Sequence, residues 1–109
     1  MKLLSRAEEL ILLTILKLED KAYGVAIREN LNQETSTEWS FGSIYTPLNK
    51  LTRKHLVIKT YSDPTPERGG RRKCIYRVTG KGISVLREIH KVQSLVWSGL
   101  PDGVINQDQ

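Results

Sequence analysis

The polar side chains best suited to chemistry lie on one predicted helix, Phe41–His55, which Ser40 caps at its N-terminus. The helical period of 3.6 residues gives this helix one apolar face and one polar face. Hydroxyl, amide and ammonium groups on such a face can hydrogen-bond to base edges or to phosphates. The predicted contacts to duplex DNA from this helix are Ser43, Tyr45, Thr46, Asn49, Lys50 and Arg53.

These side chains are expected to differ in role. Asn49 can pair with adenine and Lys50 with guanine, whereas serine and threonine hydroxyls can serve either a base or a phosphate. Tyr45 lies at the side of the helix, where its hydroxyl reaches phosphate or its ring packs half-buried. Arg53 contacts phosphate or remains solvated. A solvated polar face without a ligand stays open as the alternative for any single residue.

A basic hairpin is predicted after this helix. β-Branched and aromatic residues predict strands over Leu56–Ser62 and Lys73–Thr79, joined by a turn-rich loop that contains Gly69-Gly70. Cationic side chains at the end of the loop could follow the phosphate backbone or enter a minor groove. These further candidate DNA contacts are Arg71, Arg72 and Lys73, and a solvated hairpin is the alternative.

Positive charge is concentrated in the same segment. The chain of 109 residues has a net charge of +5, and residues 41–77 contain nine lysines and arginines against two acids. A basic block within a near-neutral chain indicates a polyanionic partner, with nucleic acid as the first candidate. A solvated basic face is the alternative. The length suits one domain, and the hydrophobic and charged fractions of 39% and 27% are ordinary for a globular protein.

Several classes of protein are disfavoured by what the sequence lacks. It contains no Gly-rich phosphate loop, no metal-ligand spacing and no nucleophile–base pair, so we expect no catalytic residue, no metal and no cofactor. Cys74 is the only cysteine, which excludes an intrachain disulfide and suits the cytoplasm. The apolar run Leu10–Leu16 is short and has charged flanks, so we expect neither a signal peptide nor a membrane span, and no membrane partner.

Two helices are predicted ahead of the DNA-contacting segment. The first spans Arg6–Glu19 and begins with a capping box formed by Ser5 and Glu8. The second spans Tyr23–Leu31. The first helix is apolar on all sides, so in a small domain we expect it to contact a second subunit as well as its own core.

The last predicted helix, Gly80–Ser98, carries apolar residues spaced as in a coiled-coil contact. We therefore expect a homodimer, with 1–79 as a DNA-binding domain, 80–99 as a dimerisation helix and 100–109 as a flexible tail. The residues predicted at the dimer interface are Leu12, Leu16, Val85, Ile89, Val92 and Val96.

The order of these motifs resembles the PadR family of bacterial transcriptional regulators. The resemblance is carried by the apolar residues of the first helix and by short motifs that follow it. These are Leu10–Leu16, Tyr23-Gly24, Ser43–Leu48 with Leu51, Leu56-Val57, Gly69–Lys73, Tyr76–Thr79 and Gly82. Pro47, which the helix rules disfavour, is common in the family at this position.

The resemblance implies a mainly α fold with a small β-hairpin, a winged helix-turn-helix with a C-terminal dimerisation helix. It implies a homodimer of the short subfamily that binds a pseudo-palindromic operator, usually as a repressor. In some short members a tryptophan on the last helix stacks on aromatic drugs between the subunits, so Trp97 is a candidate contact for a small aromatic effector. Packing of Trp97 at the interface is the alternative. A winged-helix protein-interaction module and a repressor without a ligand are the alternative functions.

Overall fold

The computed structural model describes residues 3–61 and 73–104, which form four helices and one antiparallel hairpin. Strand pairing runs from Val57 opposite Val78 to Tyr61 opposite Cys74. The predicted fold class, mainly α with a small hairpin, is confirmed. In chain order the elements are α1 (Arg6–Leu18), a 3-10 turn (Glu19–Lys21), α2 (Gly24–Thr35), α3 (Phe41–Arg53), β1 (Val57–Tyr61), β2 (Cys74–Val78) and α4 (Gly80–Trp97).

The hydrophobic core lies where α1, α2 and α3 meet, and the hairpin closes one side of it. Its fully buried residues include Ile11, Leu12, Ile15, Ile27, Ile44, Leu48, Leu51 and Leu56. The side chain of Leu12 is 0% exposed within its own chain and packs in this core, so it has no surface left for a second subunit. The prediction of Leu12 as an interface residue is therefore corrected. Leu13 and Leu16 are the exposed apolar residues of α1.

The N-terminus of α1 is joined to the C-terminus of α3 by a buried ion pair. As predicted, Ser5 and Glu8 form a capping box, in which each side chain accepts a hydrogen bond from the other's backbone N–H. Lys54 Nζ donates to the second carboxylate oxygen of Glu8 at 2.8 Å, and Glu8 is only 5% exposed. Burial alone would raise the pKa of Glu8, but the hydrogen bonds from Lys54 and Ser5 outweigh it and lower that pKa.

We expect Glu8→Gln to lower the free energy of unfolding by about 1–2 kcal/mol at pH 7, because the amide can still cap α1 but leaves Lys54 without its carboxylate. A carboxyl whose pKa is lowered by folding stabilises the protein above its unfolded pKa of about 4.3, and this contribution is lost as pH falls through the folded pKa. Urea unfolding of both proteins from pH 7 to pH 3 should therefore show the difference shrinking. The exposed Glu88→Gln on α4 is the control. A difference that persists at pH 3 would contradict the ion-pair explanation.

The C-terminus of α3 ends in a Schellman motif. The Leu56 N–H donates to the Leu51 carbonyl at 3.0 Å, and the His55 N–H donates to the Thr52 carbonyl at 3.1 Å. His55 has the left-handed φ of 62° that this motif requires, and its side chain is exposed. The helix ends at Arg53, two residues before the predicted end at His55. The helix is continuous through Pro47.

Replacement of His55 by glycine should stabilise the protein by about 0.5–1 kcal/mol, because a side chain is unfavourable in the left-handed region and glycine is not. Thermal unfolding at pH 7 is the measurement. The matched control is His90→Gly, since His90 is also exposed but lies inside α4. There the same change should destabilise by about 1 kcal/mol. If both variants changed the stability in the same direction, the left-handed backbone of His55 would not be the cause of the effect.

Helix α4 packs on the domain as far as Gln93, whose side-chain amide donates to the Glu9 carboxylate at 3.3 Å. Gly82, Leu86 and Ile89 are buried, whereas Leu95, Val96 and Trp97 are exposed. A helix of 18 residues is about 27 Å long, and the molecule measures 58 × 33 × 21 Å. The second half of α4 therefore carries a run of apolar side chains that the chain itself does not cover.

Candidate nucleic-acid interface

Helix α3 is fixed to the domain by one face and presents the other to solvent. Ile44, Leu48 and Leu51 are fully buried in the core. Ser40 begins the helix by accepting a hydrogen bond from the Ser43 N–H at 3.1 Å. Because the buried residues recur with the helical period, the polar residues between them are directed away from the core.

Four of the predicted DNA contacts lie together on this outward face. Thr46, Asn49, Lys50 and Arg53 are all exposed. Within the described parts of the chain, their side chains make no hydrogen bond or ion pair with another residue. Their donors and acceptors are therefore free to bind a ligand that lies along the helix.

Ser43 differs from these four residues. It is half-buried, and its hydroxyl donates to the Ser40 carbonyl at 2.7 Å. The hydroxyl thus stabilises the first turn of α3. A base amino group could donate to its oxygen, whereas a phosphate, which has no proton to donate, could only compete for the hydroxyl hydrogen.

Tyr45 packs between α3 and α2 rather than projecting from the surface. Its ring lies over Gly24, where an added Cβ would fall 2.0 Å from the tyrosine hydroxyl. Gly24 therefore provides the space that Tyr45 occupies, and any larger residue there would displace the ring. Of the two roles considered for Tyr45, the structure shows the half-buried packing, and a phosphate contact remains a prediction.

An aromatic cluster lies at the start of α3. Phe41 is an exposed aromatic side chain that stacks on Tyr45 with ring centroids 6.4 Å apart. The Arg28 guanidinium lies 4.6 Å from the Phe41 centroid, and Arg28 Nε donates to the Trp39 carbonyl. The Trp39 indole N–H donates to Thr35 Oγ1 at 3.0 Å. These contacts fix the turn between α2 and α3, and only the density of aromatic residues after Glu38 hinted at them.

The loop end of the hairpin contributes one described candidate. Lys73 is exposed immediately before β2, with Nζ 4.9 Å from the centroid of the Tyr23 ring. Arg71 and Arg72 lie outside the described residues, so their role remains a prediction from the sequence. Lys59 on β1 and Arg77 on β2 are further exposed cations of the hairpin.

The apolar surface available to a second subunit differs from the predicted set. Ile89 is 5% exposed within its own chain, so it belongs mainly to its own subunit, which corrects that prediction. Val85 and Val92 are half-buried, and Val85 packs on the core. Leu16 and Val96 remain accessible. Exposed apolar residues outside the predicted set include Leu3, Leu13, Leu95 and Leu100.

Trp97 lies at the free end of α4 and is 53% exposed. An indole at this position is accessible to a partner or a ligand. Within residues 3–61 and 73–104, no helix combines the length and apolar character that a membrane crossing requires. The same residues contain no group of three or more His, Cys, Asp or Glu side chains placed to hold a metal ion.

A known family model matches most of the chain. Residues 12–88 match the model described as the transcriptional regulator PadR-like family. A comparison with curated protein sequences gives no significant match.

Solved structures with the same fold include three bacterial regulators. A PadR-like transcriptional regulator from Bacillus cereus is 26% identical, with a TM-score of 0.71 over 94% of this chain and 92% of that chain. A PadR family transcription regulator from Clostridium difficile is 25% identical, with a TM-score of 0.65 over 84% of this chain and 91% of that chain. A transcriptional regulator from Clostridium thermocellum is 20% identical, with a TM-score of 0.67 over 86% and 91% of the two chains.

Proposed function

Since the chain belongs to the PadR-like family of transcriptional regulators, whose members are not enzymes, we propose that it is a homodimeric repressor of transcription that acts on DNA in the cytoplasm. Each subunit places α3 in a major groove and its hairpin beside the adjacent backbone. Two such units related by a two-fold axis read a pseudo-palindromic operator.

The outward face of α3 is the observation that supports this function most directly. Its four exposed polar side chains combine an amide, a hydroxyl and two cations on a helix whose other face is locked into the core. A helix with this arrangement is what the major groove accepts, and these groups can bond to base edges and phosphates.

Binding to duplex DNA is tested by selecting operators from a random pool and then measuring affinity by gel shift across a salt series. Asn49→Ala and Lys50→Ala should each weaken operator binding by about 1–3 kcal/mol and relax the preference at one base pair. Lys91→Ala on the exposed side of α4 is the charge-matched control and should leave the sequence preference unchanged.

The hairpin is tested in the same assay. Arg71→Ala/Arg72→Ala should weaken binding to all sequences alike and make its dependence on salt shallower, because each lost phosphate contact lowers the slope by about one. If no duplex is bound tightly at moderate salt, the domain is instead a winged-helix module for an acidic protein partner.

Release from the operator is proposed to follow binding of a small aromatic effector at the dimer interface, beside Trp97. The exposure of this indole at the end of α4 supports the idea. An effector that favours one arrangement of the two subunits would change the separation of the two hairpins and so the affinity for two half-sites. The test is titration of aromatic compounds, followed by Trp97 fluorescence in the Trp39→Phe variant and by operator affinity in the unchanged protein. Unchanged affinity at saturation would leave a repressor without a ligand.

A further inference from the structure

A cavity of about 570 Å³ lies between the start of α2, the side of α3 and the start of β2. This volume is in the range of sites for small organic ligands. Its walls include Tyr23, Val25, Glu29, Tyr45, Lys73 and Tyr76. Its lining comes from one chain and includes no residue of α4.

One side of the cavity already holds a cation of the chain itself, the Lys73 ammonium. Lys73 Nζ lies 4.9 Å from the centroid of the Tyr23 ring, within the distance at which the negative face of an aromatic ring attracts an ammonium group. The Glu29 carboxylate is part of the same lining and adds a negative charge. Burial raises the pKa of Tyr76 to about 12, and its neutral phenol also lines the cavity.

We propose that this cavity binds a small organic cation, an ammonium group attached to an apolar body, which takes the place of the Lys73 ammonium on the Tyr23 ring. The ring and the Glu29 carboxylate hold the positive charge. The apolar body lies against Val25 and the Tyr45 ring.

Such a ligand would contact both elements that are proposed to bind DNA. Tyr45 belongs to α3, and Lys73 stands where the hairpin loop returns to β2. Displacement of Lys73 and pressure on the Tyr45 ring would therefore change the affinity for the operator. This regulatory consequence rests on the proposed function, whereas binding of the cation does not.

The test uses the intact chain without DNA and benzyltrimethylammonium as the probe, with affinity measured by calorimetry and the site located by NMR chemical shifts. Benzyl alcohol and benzoate, which have similar bodies but neutral and negative heads, should bind at least about tenfold more weakly. Shift changes should centre on Tyr23, Val25 and Tyr45. Tighter binding of benzoate than of the ammonium probe would overturn the proposal.

Substitution of the charged residues gives the sharper result. Glu29→Gln should weaken probe binding by roughly threefold to tenfold, whereas Lys73→Met should strengthen it by a similar factor, because the internal competitor is removed. Both side chains are exposed, so the fold should persist. Lys91→Met, which removes the same charge on α4, should change nothing. Unchanged or weaker binding by Lys73→Met would refute displacement of the internal ammonium.

The two proposals fail separately. If the probe binds as expected but no duplex does, the cation site stands and the repressor function falls. If operators are selected and bound but the probe does not bind, the reverse holds.

Discussion

Replacing Gly82 with alanine is expected to destabilise the protein by about 2–4 kcal/mol. A Cβ at this position would lie 2.5 Å from the Leu56 carbonyl oxygen and 2.7 Å from Val78 Cγ1. The carbonyl cannot move away freely, because it accepts the Thr79 N–H at 2.9 Å and belongs to the buried residue Leu56. The new methyl group must therefore separate α4 from the hairpin or break this hydrogen bond.

Gly80→Ala is the matched control for this prediction. Gly80 also lies in the first turn of α4, but an added Cβ there meets nothing within 4 Å. Alanine should therefore be neutral at Gly80, or stabilising by up to about 1 kcal/mol through its higher helix propensity. The two variants are compared by urea unfolding. If the two variants were similarly stable, the neighbours of Gly82 would accommodate the added methyl group without loss of stability.

The second large effect is expected at the exposed end of α4. Val96→Asp should convert the proposed dimer to a monomer and weaken operator binding at least about 100-fold, roughly 3 kcal/mol, since one subunit can engage only one half-site. Val96 is 70% exposed, so an aspartate there should not disturb the fold of the single subunit.

Light scattering after size exclusion and gel shift on the selected operator are the two measurements for Val96→Asp. Ser84→Asp introduces the same charge at an exposed position near the start of α4 and should keep both properties. If the variant remains dimeric, this part of α4 does not belong to the interface. If the variant is a monomer that binds the operator as tightly as the original protein, operator binding does not require dimerisation.

The sequence predicted the elements that position α3 more accurately than the surfaces between subunits. The Ser5–Glu8 capping box and the Ser40 cap depend on residues three apart, so local rules were sufficient. Leu12 was assigned to the dimer because α1 is apolar on all sides and carries no sign of which side meets α2 and α3. That choice is made by tertiary packing alone.

Two features of the candidate site depend on contacts between residues far apart in the chain. The position of the Tyr45 ring is decided by the missing side chain of Gly24. Lys54 belongs to the basic segment by sequence, yet its ammonium is held by Glu8 of α1. By contrast, the exposure of Thr46, Asn49 and Lys50 follows from the helical period, which is why this part of the site could be predicted.

Thr79 gives the end of α3 and the start of α4 a common attachment. Its hydroxyl accepts from the Gly82 N–H at 3.1 Å and donates to the His55 carbonyl at 2.8 Å, while its backbone N–H donates to the Leu56 carbonyl. Three hydrogen bonds at one residue leave little freedom to bend, so α4 and α3 would move together as a rigid body. Tilting a rod of about 27 Å by about 10° moves its far end by roughly 5 Å. In a dimer joined at the far ends of these rods, small rotations at the subunit contact would be converted into displacements comparable to the rise of one or two base pairs.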